Sequence, residues 1–225
     1  MKDVPLLTEE EYLLALRKRI DELKARTDLP CYRYADKQQA KVIAYFLDRG
    51  IQIGEASFRI RDLPVPLDVL MRVLCEDLIR LVWVSQSEAN AAEYAKSPVS
   101  ELARAARLNL EKGHARIVDR KTGQDATAKV LPHLGEYVSK GKSIEQTATE
   151  CGLEKLYSIV FRFGSPAVHG NAFELYQSSD EALTTLPAVN ALLRAEARVA
   201  DNYPNRTTGP EEILRILGFV GIGNN

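Results

Sequence analysis

Apolar residues recur at three- and four-residue intervals along most of this chain. No stretch alternates apolar with polar residues as a half-buried strand would. The pattern predicts an all-α protein. Thr8-Glu-Glu-Glu11 reads as a capping box opening a helix to about residue 26, with Leu13, Leu14, Leu16, Ile20 and Leu23 as its apolar face. Asp28-Leu-Pro30 ends it. A second long helix is predicted over residues 36–58, accommodating Gly50 and Gly54 at some cost. Pro64 and Pro66 punctuate the chain before a third helix over residues 67–86. Ser97-Pro98 resets it into a fourth helix running through Arg120, and Lys121-Thr-Gly-Gln makes a turn. Residues 126–140 read as helical despite Pro132. Ser143-Ile-Glu-Gln146 is a second capping box, starting a short helix that Gly152 ends. Residues 180–202 form a strongly helical stretch, and residues 211–217 a last short one.

The third helix is apolar nearly all round, from Val69 and Leu70 to Val82 and Trp83, which predicts a central place in a bundle. Against that background Asp68, Arg72, Glu76 and Arg80 recur every four residues as one stripe of alternating sign. Two readings stay open. The stripe is either a solvated face laced by ion pairs or an interior polar line that orients groups in a site.

Charge narrows the function classes. Thirty basic residues stand against thirty-one acidic ones, so any contact with nucleic acid must come from a local patch. Lys112, Arg116 and Arg120 lie at helical i+4 spacing, with Arg104 and Arg107 before them, and would form such a track if they adjoin a site. Cys31, Cys75 and Cys151 lack metal or redox spacing and read as reduced thiols. His114 and His133 are isolated, and no motif predicts a metal or another cofactor. The opening residues carry no apolar signal region and no apolar run reaches membrane-spanning length, which predicts a soluble cytoplasmic protein with no membrane partner. Lys140-Gly-Lys-Ser143 resembles the end of a phosphate loop, but its flanks read as helix and its serine as an N-cap.

The residues richest in chemistry are Tyr157-Ser-Ile-Val-Phe-Arg162-Phe-Gly-Ser165-Pro-Ala-Val-His169-Gly. Pro166 cannot donate to the carbonyl of Arg162, so one helix is expected to end near Phe163 and another to start with Ser165 as N-cap. His169 then sits in a first helical turn, where the dipole attracts anions and disfavours the imidazolium. An arginine and a histidine of low pKa beside an anion-attracting helix start suit phosphate chemistry.

Arg162, six intervening residues and His169 resemble the Arg-x(4–6)-His signature of the HEPN superfamily of helical proteins. Arg72-x-x-x-Glu76 on an apolar helix, with Tyr157, Ser165 and His169-Gly170 later, is similar to an uncharacterised prokaryotic branch of it. The resemblance spans about residues 40–200. It implies a HEPN-like bundle with an up-down four-helix core over residues 36–203, a helical extension over 1–35, and a short helix and tail over 204–225. It further implies a homodimer acting on RNA as a metal-independent endoribonuclease, a toxin or antiviral effector with an antitoxin or defence-system partner protein. Carried over, His169 is the general acid or base and Arg162 holds the scissile phosphate, with Tyr157, Ser165, Glu76 and Arg72 in support. Phe163 stands where nuclease members usually carry a polar residue. That departure keeps open an alternative, a non-catalytic dimerising module that binds a nucleotide or a protein partner.

Overall fold

The computed structural model describes residues 8–33, 37–138, 141–161 and 182–218. Four long helices carry the core: α1 (Glu9–Thr27), α3 (Gln38–Arg59), α4 (Pro64–Ser85) and α9 (Ala182–Asn202). Between α1 and α3 lies the short α2 (Pro30–Arg33). After α4 come α5 (Glu88–Glu111), α6 (Thr127–Tyr137), α7 (Ile144–Glu150) and α8 (Glu154–Leu156). A π-helical turn, Tyr157–Phe161, continues α8, and α10 (Pro210–Ile216) follows α9. The only β pairing among the described residues is one isolated bridge, Val118 with Asp125. The fold is an all-α helical bundle. No helix among the described residues is long and apolar enough to cross a membrane.

As its composition demands, α4 is central. Leu67, Leu74, Cys75, Leu78, Ile79, Leu81, Val82, Trp83 and Val84 are all buried, and the helix packs against α3, α5, α7 and α9. The chain runs up and down through α1, α3, α4 and α5. Gln39 of α3 reaches the Val84 and Ser85 carbonyls while Arg49 pairs with Asp77, and Asn90 of α5 reaches the Trp83 carbonyl. The later helix α9 runs parallel to α4, with Thr185 bonded to Asp68 at one end and Glu196 near Asp77 further on. Arg26 at the end of α1 grips Asp201 at the end of α9, and Tyr32 of α2 donates to the Ala200 carbonyl.

The N-terminal segment is helical as expected, and it is part of the bundle rather than appended to it. Leu16, Ile20 and Leu23 are fully buried in the same apolar cluster that extends to Ile213 of α10. Burying each such side chain stabilises the fold by roughly 1.5–3 kcal/mol. Glycine makes the close helix contacts possible. A β-carbon on Gly54 would lie 2.9 Å from Ile20 Cγ1 and 3.1 Å from Leu193 Cδ1, so α1 and α9 both approach α3 there. Both capping boxes form: Thr8 with Glu11, and Ser143 with Gln146.

Helix α5, the fourth predicted from the sequence, departs from its expected bounds. It begins at Glu88, where the Ser87 side chain accepts from the Asn90 amide, so Pro98 lies inside it rather than at its start. It stops at Glu111 rather than Arg120, because Gly113 turns left-handed (φ 70°) and the Asp119 carboxylate collects the Lys121 and Thr122 amides into a turn. Packed mainly on α5, α6 buries none of its own residues.

Candidate functional site

Arg162, Ser165 and His169 lie outside the described residues. The described chain leaves at Phe161 in the π-helical turn, which packs against α4 with Tyr157 half-buried on the core. It re-enters at Ala182, and Thr185 then donates to Asp68 Oδ1 at 2.7 Å. Both approaches to Arg162 and His169 along the chain are therefore fastened to α4. A π turn widens the helix locally, a distortion frequent beside functional sites.

The polar stripe of α4 is neither solvated nor sealed, since Asp68, Arg72, Glu76 and Arg80 are all half-buried. Arg80 donates from Nε and Nη2 to Glu76 Oε1 at 3.0 and 2.9 Å, and its guanidinium lies 5.9 Å from the Tyr94 ring centroid. The i,i+4 pair thus fixes the guanidinium beside an aromatic face. Lys112, Arg116 and Arg120 correct the expectation of a helical track. Lys112 is the C-cap of α5, while Arg116 and Arg120 are exposed in the turn beyond it, so the three share no helix face.

Of the stripe, Arg80 lines a cleft of about 970 Å³ between α4, α5 and α7. Arg80, Lys96, Arg104 and Lys142 supply cations, Glu93 and Glu101 supply carboxylates, and Trp83 and Tyr94 supply rings. Lys142 Nζ sits 4.8 Å from the Trp83 centroid, 2.8 Å from Glu150 Oε2 and 3.6 Å from Glu93 Oε2. The hydrogen bond with Glu150 raises the ammonium pKa and lowers that of the carboxylate. Trp83 Nε1 donates to the same Glu150 oxygen at 2.9 Å, which holds the indole in place. Of the four lining cations, Arg80 and Lys142 are already paired with Glu76 and Glu150. Trp83 is buried, so half-buried Tyr94 is the ring of this lining on which a base could stack while the cations hold a phosphodiester. Ser143 keeps its N-cap role, its hydroxyl accepting from the Gln146 amide, even though it lines this cleft beside Lys142.

Sequence periodicity did not mark a second polar cluster, inside the bundle. Arg49 Nε donates to Asp77 Oδ2 at 2.7 Å, with the aspartate buried. Further in, Glu196 is fully buried and neither of its carboxyl oxygens has a hydrogen-bond partner among the described residues. Burial first and the Asp77 charge second push its pKa well above the ordinary carboxylate value, with Arg49 opposing, so its surroundings favour the protonated form. Its one readable signal is position: it falls on the face of α9 that also buries Leu192, Leu193 and Ala200. No group of three or more histidine, cysteine or acidic side chains suited to hold a metal ion occurs among the described residues.

No curated protein and no solved structure is similar enough to match this chain. Residues 60–182 match the model of a family of unknown function, DUF5677. That is 182 − 60 + 1 = 123 of 225 residues, and it takes in α4 to α8, the π-helical turn and every residue lining the cleft. By that match over more than half its length, the chain belongs to the DUF5677 family of unknown function.

Proposed function

We propose that this protein is a HEPN-type, metal-independent endoribonuclease that works as a homodimer, a toxin or defence effector held in check by a partner protein. The cleft carries the reading: its lysine and arginine side chains beside the half-buried Tyr94 ring can hold a phosphodiester and stack a base of single-stranded RNA. The spacing of Arg162 and His169, resembling the HEPN signature, supplies the chemistry. In that chemistry the 2′-hydroxyl of the RNA attacks the adjacent phosphorus and the bond to the 5′-oxygen breaks. A 2′,3′-cyclic phosphate and a 5′-hydroxyl result, with no metal in the balance. His169 moves the proton, accepting it from the 2′-hydroxyl or delivering it to the departing 5′-oxygen, and Arg162 stabilises the charge developing on phosphorus.

The test is incubation of the full chain with mixed RNA in EDTA, beside His169→Ala, Arg162→Ala and Lys96→Ala. Wild type is expected to cut and to leave cyclic phosphate ends, and the first two variants to lose cutting. Lys96→Ala keeps it, and its log affinity falls with log salt less steeply by about 0.7. Cutting that survives both the histidine and the arginine substitutions rejects the mechanism. RNA binding without cutting assigns the protein instead to non-catalytic modules.

A further inference from the structure

A second cavity, of about 500 Å³, lies on the opposite chain segments, between α1, α9 and α10. Its chemistry is uniform. Arg19 and Arg26 come from α1, Arg194 and Arg198 from α9, and Arg215 from α10. Residues 19 and 26 are two turns apart on one face of α1, and 194, 198 and 201 share one face of α9. Against these five guanidinium groups the lining holds two carboxylates, Asp201 and Glu212, an excess of 5 − 2 = 3 positive charges.

The carboxylates orient some of the arginines rather than neutralise all of them. Asp201 takes Nε and Nη2 of Arg26 at 2.7 and 2.8 Å, and Glu212 takes Nε of Arg198 and, at 3.3 Å, Arg206. Arg19 spends Nη1 on Glu22, while its Nε is buried without a hydrogen-bond partner. Arg194 and Arg215 are exposed and make no hydrogen bond or ion pair with the described residues. Concentrating like charges this way opposes folding unless something of opposite charge enters. All five are arginines, whose planar forks match two phosphate oxygens at once. The remaining lining, Ala197 and Ile216, offers no ring on which a base could stack.

We propose that this pocket binds a small anion carrying two or more linked phosphate groups, recognised through its phosphates alone. The site is separate from the RNA cleft, and every residue in it lies outside the 60–182 stretch that the family model matches. Its occupant ties α1, α9 and α10 together.

The test is thermal unfolding and calorimetric titration of the full chain with pyrophosphate and with tripolyphosphate. Sulfate, sodium chloride of matched ionic strength and an RNA oligonucleotide lacking terminal phosphates are the comparison arms. Pyrophosphate or tripolyphosphate is expected to raise Tm saturably, and sulfate to do so much less. Arg194→Ala and Arg215→Ala break no side-chain hydrogen bond or ion pair with the described residues, so each should leave the unliganded Tm little changed and weaken binding at least tenfold. Stabilisation matched by sulfate or by salt alone overturns the proposal, as does stabilisation that persists in the double variant. Binding by the RNA arm alone, lost in the same variants, also overturns it and makes the pocket a nucleic-acid contact.

Discussion

The carboxyl group of Glu196 occupies the space that any residue other than glycine would fill at position 50. A β-carbon built on Gly50 lies 2.1 Å from Glu196 Oε2 and 3.4 Å from Leu193 Cδ2. The two residues belong to α9 and α3, so a glycine in one helix makes room for a buried acid in another. Alanine at a helix interior gains about 0.5–1 kcal/mol over glycine. Here the collision reverses that gain. Gly50→Ala should destabilise the protein by about 1–3 kcal/mol, the usual range for overpacking. In a Glu196→Ala background the same change should become neutral or stabilising, a coupling that a urea-unfolding double-mutant cycle measures directly. Additive costs in that cycle would show that the two residues do not meet.

Glu196 also predicts a pH dependence. Its folded pKa lies well above the ordinary value of 4.5, chiefly through burial, with Asp77 of α4 reinforcing the shift and Arg49 of α3 opposing it. The folded state therefore binds the proton more tightly than the unfolded chain. The stability this confers is complete below pH 4.5 and declines as pH rises toward the folded pKa. Stability curves of wild type and Glu196→Gln should diverge above that pH in favour of the variant, by up to about 1.4 kcal/mol per pH unit. Parallel curves from pH 4 to pH 8 would contradict a buried, uncompensated acid.

The ion pair beside it is asymmetric: the Arg49 side chain is 36% exposed and that of Asp77 only 6%. Removing the arginine strands a carboxylate in the core. Arg49→Met should cost about 2–4 kcal/mol, toward the lower end of the range for broken buried pairs because the arginine meets solvent. Replacing both, as Arg49→Met with Asp77→Leu, should recover most of that loss. Chemical unfolding of the three proteins decides the matter, and a double variant no better than Arg49→Met would refute the account.

Local features of the fold were legible in the sequence, and cross-helix ones were not. Thr8 and Ser143 are caps whose partners stand three residues away, so the letters alone define them. The apolar circumference of α4 dictates its central place in the same way. Pro98 misleads because a proline after a serine resembles a helix start. Ser87 had already capped α5, and buried Ala91 and half-buried Tyr94 hold the helix ahead of the proline. The spacing of Lys112, Arg116 and Arg120 suggests a helical face that Gly113 interrupts. Glu196 reads as a surface residue, since its burial depends on a glycine far away along the chain. The arginine pocket is built from three helices and is invisible to any window shorter than the whole chain.

Helix α5 serves both the bundle and the cleft, and one residue divides its two halves. At 24 residues it is about 36 Å long, with Lys96 and Arg104 in the cleft wall and α6 mounted toward its far end. Pro98 carries no N–H, so the carbonyl of Tyr94, itself a cleft residue, lacks its donor four positions on. The rod is softest between the two cations. Any bend at that missing hydrogen bond changes how far apart Lys96 and Arg104 stand.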